Sequence, residues 1–335
     1  MQEREHAMPL IIRDDNVFGS AEQDAVRRDF SFNALFYDVE RETIIDYVGG
    51  VHDVERRLLR SIGDPSIRMR EDPIRMLRAI RLAARLGCRI DESTWEAIRR
   101  FHPEITHAAA PRVLEDLLRM FRGGAAAPAF EMLVASGAIC TVLPELADHL
   151  QRVSRQSGGE EAEALRSALL VADAWTHSGR KLSDAVSLAL LLGTPVLSRL
   201  HDPAERLGSG ASLAIVGDGL RPAAQRLSIS KRDMERIRQV LLNVGKLAAR
   251  GGRRRRHAAT LARRNYFPDT LDLFEILSHA TGDLSEEVTR WRRRAQDGGA
   301  SEDGATEGET EAREPREAPR RRRRRGGRRT RPPEA

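Results

Sequence analysis

The chain has 335 residues, 40% hydrophobic but only 4% aromatic, with two cysteines and a formal net charge of +6. That length and apolar content allow two domains or one elongated, multi-lobed body with a real core. No run reaches the roughly 18 apolar residues that cross a bilayer, and no charged-then-apolar leader opens the chain, so the expectation is a soluble, cytoplasmic monomer with no membrane partner. Ala, Leu and Arg dominate, which favours helix over sheet. Cys88 and Cys140 stand singly without metal-ligand spacing and are expected as buried thiols. The charge is uneven: residues 313–335 carry 11 arginines against Glu314, Glu317 and Glu334, while residues 296–312 carry six acids and no base. The remainder is only mildly basic.

Residues 1–15 show no period. Thr43-Ile44-Ile45-Asp46-Tyr47-Val48 is β-branched and reads as a strand, with Ala34 to Val39 as its hairpin partner. After Gly49-Gly50 the pattern turns helical as far as about Arg294. Helices are expected at about 73–87, 91–101, 111–122, 127–136, 161–177, 181–193, 222–228, 231–249, 257–264, 269–280 and 284–295. Residues 296–335 lack an apolar face and are expected to be disordered.

Three clusters carry chemistry. In the helix opening at Pro73, residues Pro73, Leu77, Ile80 and Ala84 share the core side. Asp72, Arg75 and Arg78 line the other, an acceptor and forked donors able to meet a base edge. The plainer reading makes Asp72 a helix cap and the arginines solvated. In Arg27-Arg28-Asp29, followed by Asn33, two cations suit phosphate oxygens and the acid suits a ribose hydroxyl; the alternative is a surface ion pair at a helix start. Asp46-Tyr47-Val48-Gly49-Gly50-Val51-His52-Asp53 reads by itself as a strand ending in a flexible turn between acids. A further basic run, Arg253-Arg254-Arg255-Arg256, is a candidate RNA contact.

Taken together and in order, these clusters resemble the class II nucleotidyltransferases, the bacterial poly(A) polymerases and CCA-adding enzymes. Asn16 to Ser20 with Asp24 to Leu35 resembles their second motif. Asp46 to Asp53 is similar to their Asp-x-x-Gly-Gly-x-x-Asp loop, and Arg70 to Arg81 to their base-selecting helix. The resemblance implies a mostly α fold with helical neck, body and leg after a short α/β remnant of a nucleotidyltransferase palm. The divisions expected are 1–60 for the head remnant, 61–125 for the neck, 126–200 for the body, 201–295 for a basic RNA-binding region and 296–335 for the tail. It also implies that Arg28, Asp29 and Asn33 hold ribose and triphosphate, with Asp29 counted at the reaction centre. Asp72 and Arg75 would pair with the base, and Arg78 would be a packing or phosphate contact.

The activity implied is addition of AMP from ATP to RNA 3′ ends, with Mg²⁺ as cofactor. Ile11 to Gly19, the aromatic Phe36-Tyr37 and the Arg-rich tail lean towards poly(A) polymerase. A CCA-adding enzyme and a non-catalytic RNA-binding remnant are the alternatives. The family's glycine loop and metal-binding carboxylates precede the Arg-Arg-Asp motif, and only 26 residues precede Arg27 here. Asp14-Asp15 are neighbours, so a strand would aim them to opposite faces. The expectation is thus a truncated, catalytically incomplete chain with no metal ligands of its own.

Overall fold

Ser20 opens the first helix of the computed structural model, α1 (Ala21–Arg27), with a capping box: its hydroxyl accepts from Gln23 N–H while the Gln23 side chain accepts from Ser20 N–H. The structure describes residues 19–157, 159–200, 208–248 and 261–299. A 3₁₀ turn follows α1, and then β1 (Leu35–Asp38) pairs antiparallel with β2 (Thr43–Asp46), Leu35 opposite Asp46. This is the hairpin expected from the β-branched run. A small cluster of Ala25, Ala34 and Ile62, with Phe36 and Val48 against it, fills the space beneath.

The segment after the hairpin is not a flexible turn. Gly49 adopts φ +79°, and a Cβ on Gly50 would lie 2.4 Å from the Ser31 carbonyl oxygen, so the close approach of the two backbones requires glycine. Helix α2 (Gly50–Glu55) starts there. It leads to β3 (Leu58–Leu59), which pairs parallel with β4 (Arg89–Ile90). Between these lie α3 (Pro65–Glu71), capped by Asp64, and α4 (Ile74–Leu86). Helix α3 and the β3–β4 pair were not expected. Each is too short to show a period, and two-residue strands exist only through their tertiary partner.

Helix α4 buries Ile74, Met76, Leu77, Ile80 and Ala83, close to the expected face. It packs on α6 (Ala110–Arg122) and α7 (Ala126–Ser136), while α5 (Glu92–Phe101) packs on α3. Next come α8 (Ile139–Val142) and α9 (Pro144–Ser157), where no helix was expected. Helices α10 (Glu160–His177), α11 (Asp184–Leu200), α12 (Ser209–Arg226), α13 (Lys231–Leu247), α14 (Phe267–Thr281) and α15 (Ser285–Gly299) complete the body. One apolar cluster runs from Phe30 to Trp291 through all of these layers.

Two expectations are corrected by length. Helix α12 begins at Ser209, well before the expected residue 222, because Pro222 lies inside the helix; α11 likewise runs through Pro195. Helix α15 reaches Gly299, past the expected end at 295. Cys140 is exposed and Cys88 partly so, against the expected burial. Arg253 to Arg256, the expected helix at 257–264 apart from its last residues, and the tail beyond residue 299 lie outside the described residues. No described helix is long and apolar enough to cross a membrane.

Candidate functional site

The end of α1, the 3₁₀ turn and α4 converge on one open cleft of about 440 Å³, lined by Arg28, Asp29, Asn33, Asp72, Arg75 and Arg78. All six lie among the sequence candidates, and residues more than 40 apart in the chain meet there because Phe30, at the start of the 3₁₀ turn, and Ile74 of α4 lie in one core. Arg28 and Asp29 stand at the end of α1, not at a helix start, since Arg28 is its C-terminal cap, and Asn33 lies in the 3₁₀ turn that follows.

The candidates are bound to one another. Asp29 accepts from Phe30 N–H at 2.9 Å and Asn33 Nδ2 at 3.0 Å on one oxygen, and from Arg78 Nε at 2.8 Å and Nη2 at 2.6 Å on the other. A carboxylate has about four acceptor sites, and these four donors fill them. With its side chain only 10% exposed, Asp29 is the fixed centre of the cleft. A ribose hydroxyl would reach it only by displacing Asn33 or Arg78. Arg28 is differently placed. It donates to Asp24 at 2.8 and 3.0 Å and to the Asn33 carbonyl at 2.6 Å, and it lies over the Phe36 ring. Asp24 is half exposed, so that pair is weak and a polyphosphate can replace the carboxylate.

Asp72 does not cap α4 with its side chain: its backbone N–H closes the end of α3, and its carboxylate takes a two-pronged bond from Arg112 of α6, at 3.0 and 2.9 Å. Nor are Asp72, Arg75 and Arg78 an exposed ridge. Arg75 is 15% exposed and donates to Glu71 at 3.1 Å and the Arg68 carbonyl at 3.0 Å. Arg68 in turn donates to Glu71 and to the Arg27 and Arg28 carbonyls, tying α3 to the end of α1. The helix carries this face as a cleft wall.

The Asp46 to Asp53 loop buttresses the cleft from behind. Asp46 accepts from four consecutive N–H groups, those of Val48, Gly49, Gly50 and Val51, at 2.9–3.1 Å. Burial alone would raise its pKa, but the four backbone hydrogen bonds hold it below the ordinary carboxylate value. Asp53 is buried, accepts from the Ser31 hydroxyl and pairs with Arg60 at 2.7 Å, which also donates to the Val48 carbonyl at 2.9 Å. Asp46 therefore fixes backbone directly, and Asp53 does so only through Arg60. Behind α4, Arg81 and Asp116 form a buried pair at 2.6 Å between α4 and α6, and burial pushes the Asp116 carboxyl up despite Arg81.

Sequence reasoning missed Asp24, Arg68, Glu71, Arg112 and Arg60. Asp24, four residues before Arg28, and Glu71, three after Arg68 and four before Arg75, had a local signal. Among the described residues no group of three or more His, Cys, Asp or Glu is placed to hold a metal ion.

Three family models match this chain in series. They are the poly A polymerase head domain over residues 2–60, a probable RNA and SrmB-binding site of polymerase A over 87–150, and the polymerase A arginine-rich C-terminus over 211–329. Poly(A) polymerase I of Escherichia coli is 32% identical over 244 residues, which are 72% of this chain and 52% of the relative. That of Salmonella typhi is 30% identical over 286 residues, 84% and 59%. A CCA-adding enzyme of Geobacillus thermodenitrificans is 39% identical over a shorter stretch of 129 residues, 38% of this chain and 31% of that one. The chain spans about half the length of the poly(A) polymerases it matches. Among solved structures, a tRNA nucleotidyltransferase complexed with a primer tRNA and an incoming ATP analog shares the fold at 18% identity and a TM-score of 0.57, over 85% of this chain and 76% of that one. The Bacillus stearothermophilus CCA-adding enzyme in complex with CTP does so at 23% identity and 0.53, over 83% and 60%. The chain belongs to the class II nucleotidyltransferase family that holds the bacterial poly(A) polymerases and the CCA-adding enzymes.

Proposed function

We propose that this protein serves polynucleotide adenylyl transfer, the addition of AMP from ATP to RNA 3′ ends in RNA processing and decay. In this reading residues 1–60 close the nucleotidyltransferase head, 61–125 form the neck, 126–200 the body and 201–295 a basic region that holds RNA. The observation that carries the reading is the convergence of Arg28, Asp29, Asn33, Asp72, Arg75 and Arg78 on one cleft. Arg28 exchanges its exposed Asp24 partner for phosphate oxygens. Asn33 and Asp29 stand beside it for the ribose, at the cost of loosening one bond of the Asp29 array. Asp72 and Arg75 present an acceptor and a donor, which match the exocyclic amine and the ring nitrogen of adenine.

Cytosine offers a similar donor and acceptor, so the pair alone does not choose between them. The two-pronged bond from Arg112 supports a choice for ATP, because it holds Asp72 back and the purine edge reaches farther from the sugar. The poly(A) polymerase relatives also match far more of this chain than the CCA-adding one does.

Equilibrium dialysis of the full chain against radiolabelled ATP and CTP tests the reading. ATP is expected to bind about tenfold more tightly, in line with the roughly 1–3 kcal/mol that a paired base contact discriminates. Equal or tighter binding of CTP would overturn it in favour of the CCA-adding alternative.

A further inference from the structure

Far along the chain from the nucleotide cleft, α12 and α13 form a second concavity. They are joined by a tight turn in which Ser228 takes φ +52° and Ile229 N–H bonds back to the Ala224 carbonyl at 3.0 Å. This turn folds the end of α12 against the start of α13. Gly217, Leu220, Arg221 and Ala224 on one helix (i, i+3, i+4, i+7), and Lys231, Met234 and Arg238 on the other (i, i+3, i+7), follow helical spacing, so each set lies on a single face. Together with Ile229 they line a groove of about 520 Å³.

The groove has an apolar floor and a basic rim. Leu220 and Ile229 are buried and Met234 is partly so. Around them stand Arg221, Lys231 and Arg238, against Glu235 as the one acid in the lining. None of the three cations is firmly engaged. Arg221 pairs with Asp218 at 2.9 Å, but both side chains are about two thirds exposed, where such a pair is worth little. Arg238 reaches Glu235 only at 3.4 Å, and its Nε is buried with no acceptor among the described residues. A buried donor without a partner is rare and asks for an acceptor.

We infer that this groove binds a nucleotide unit of single-stranded RNA, upstream of the 3′ end that the cleft would hold. The base lies on Leu220, Ile229 and Met234, and the flanking phosphates meet Arg221, Lys231 and Arg238. Free phosphate alone would leave the apolar floor unused, and a neutral apolar helix would strand the cations. A nucleotide has both a flat apolar face and a charge beside it. The groove is also close in size to the nucleotide cleft. Its lining has few groups that could read a base edge, so it holds RNA of any sequence, as a strand that moves after each addition requires. The inference rests on the RNA-directed reading above and extends it to a named surface.

Anisotropy of a fluorescein-labelled 12-nucleotide oligoadenylate, titrated with the full chain at several salt concentrations, tests it. Arg221→Gln with Lys231→Gln is expected to weaken binding at least fivefold and to flatten the log–log salt slope by about 1.4, roughly 0.7 for each phosphate no longer neutralised. ATP binding and melting temperature are expected to stay as in the wild type. A 4-thiouridine-bearing oligonucleotide is expected to photocrosslink to the peptide that contains Met234. If the wild type binds RNA but the double variant does so with unchanged affinity and slope, or crosslinks fall only elsewhere, the groove assignment is wrong and the RNA reading stands. If the wild type binds no oligonucleotide, the RNA reading itself falls.

Discussion

The cleft around Asp29, proposed to hold the nucleotide, and the α12–α13 groove have similar volumes, about 440 and 520 Å³, but opposite constructions. In the cleft all the charges but Arg28 are firmly tied: Asp29 to Arg78, Asp72 to Arg112, Arg75 to Glu71. In the groove the floor is apolar and the cations are loosely held or unmet. A site that must tell one base from another needs donors and acceptors that cannot adapt to the wrong partner, and cross-linking them supplies that rigidity. A site that must accept any base does better with an apolar surface and movable cations.

The most severe way to break the comparison lies behind the cleft. Arg81 is one turn from Arg78 on α4, and Asp116 is one turn from Arg112 on α6, so their buried pair sets the register of both walls. Arg81→Ala leaves Asp116 buried without its cation and is expected to cost about 3–5 kcal/mol in a urea melt. ATP binding should fall with it, while the α12–α13 groove keeps its RNA affinity in whatever fraction stays folded. A variant as stable as the wild type would mean that the pair does not hold the walls.

A smaller effect is expected at Asp46. Its removal frees the N–H groups at the start of α2, and Asp46→Ala should cost about 0.5–2 kcal/mol, the range for deleting a helix cap. The sign with pH follows from the depressed pKa. The carboxylate's contribution is complete above the ordinary carboxylate value and disappears as pH falls through the lower folded value. The gap in melting temperature between wild type and variant should therefore close only in strongly acidic solution. A gap that widens on acidification contradicts the four-bond account.

Arg112→Ala sharpens the comparison with the least disturbance. Arg112 and Asp72 are 50% and 29% exposed, so stability should change by no more than about 1 kcal/mol. Preference for ATP over CTP should nonetheless drop about fivefold, roughly 1 kcal/mol, because a freed Asp72 can follow the shorter pyrimidine edge. Unchanged selectivity would remove Asp72 from base reading.

Local pattern carried much of this protein. The stripe of Leu77, Ile80 and Ala84 gave α4 to within a residue or so, the β-branched run gave the hairpin, and the motif residues of the cleft were all visible in the chain. Such features are legible because they depend on spacing of 2 or 3.6 along one element. Helices α8 and α9 were missed between weaker periods, and α12 was cut short because Pro222 looked like a start. A proline stops a helix only if its missing N–H and ring clash are not offset by packing, and packing on α11 and α13 is not written locally.

By itself, then, the sequence determined the hairpin, most of the longer helices, the family and the residues that line the cleft. Tertiary structure decided what those residues are free to do. Asp72 looks like a cap until Arg112 arrives from 40 residues away, and Asp29 looks like an open acceptor until Arg78 and Asn33 fill its oxygens. Asp46 and Asp53 look like flexible-turn acids until backbone N–H groups close on the first and Ser31 and Arg60 on the second. The physical reason is that a carboxylate's identity is fixed by its residue, whereas its availability depends on which donors the packed helices bring within about 3 Å.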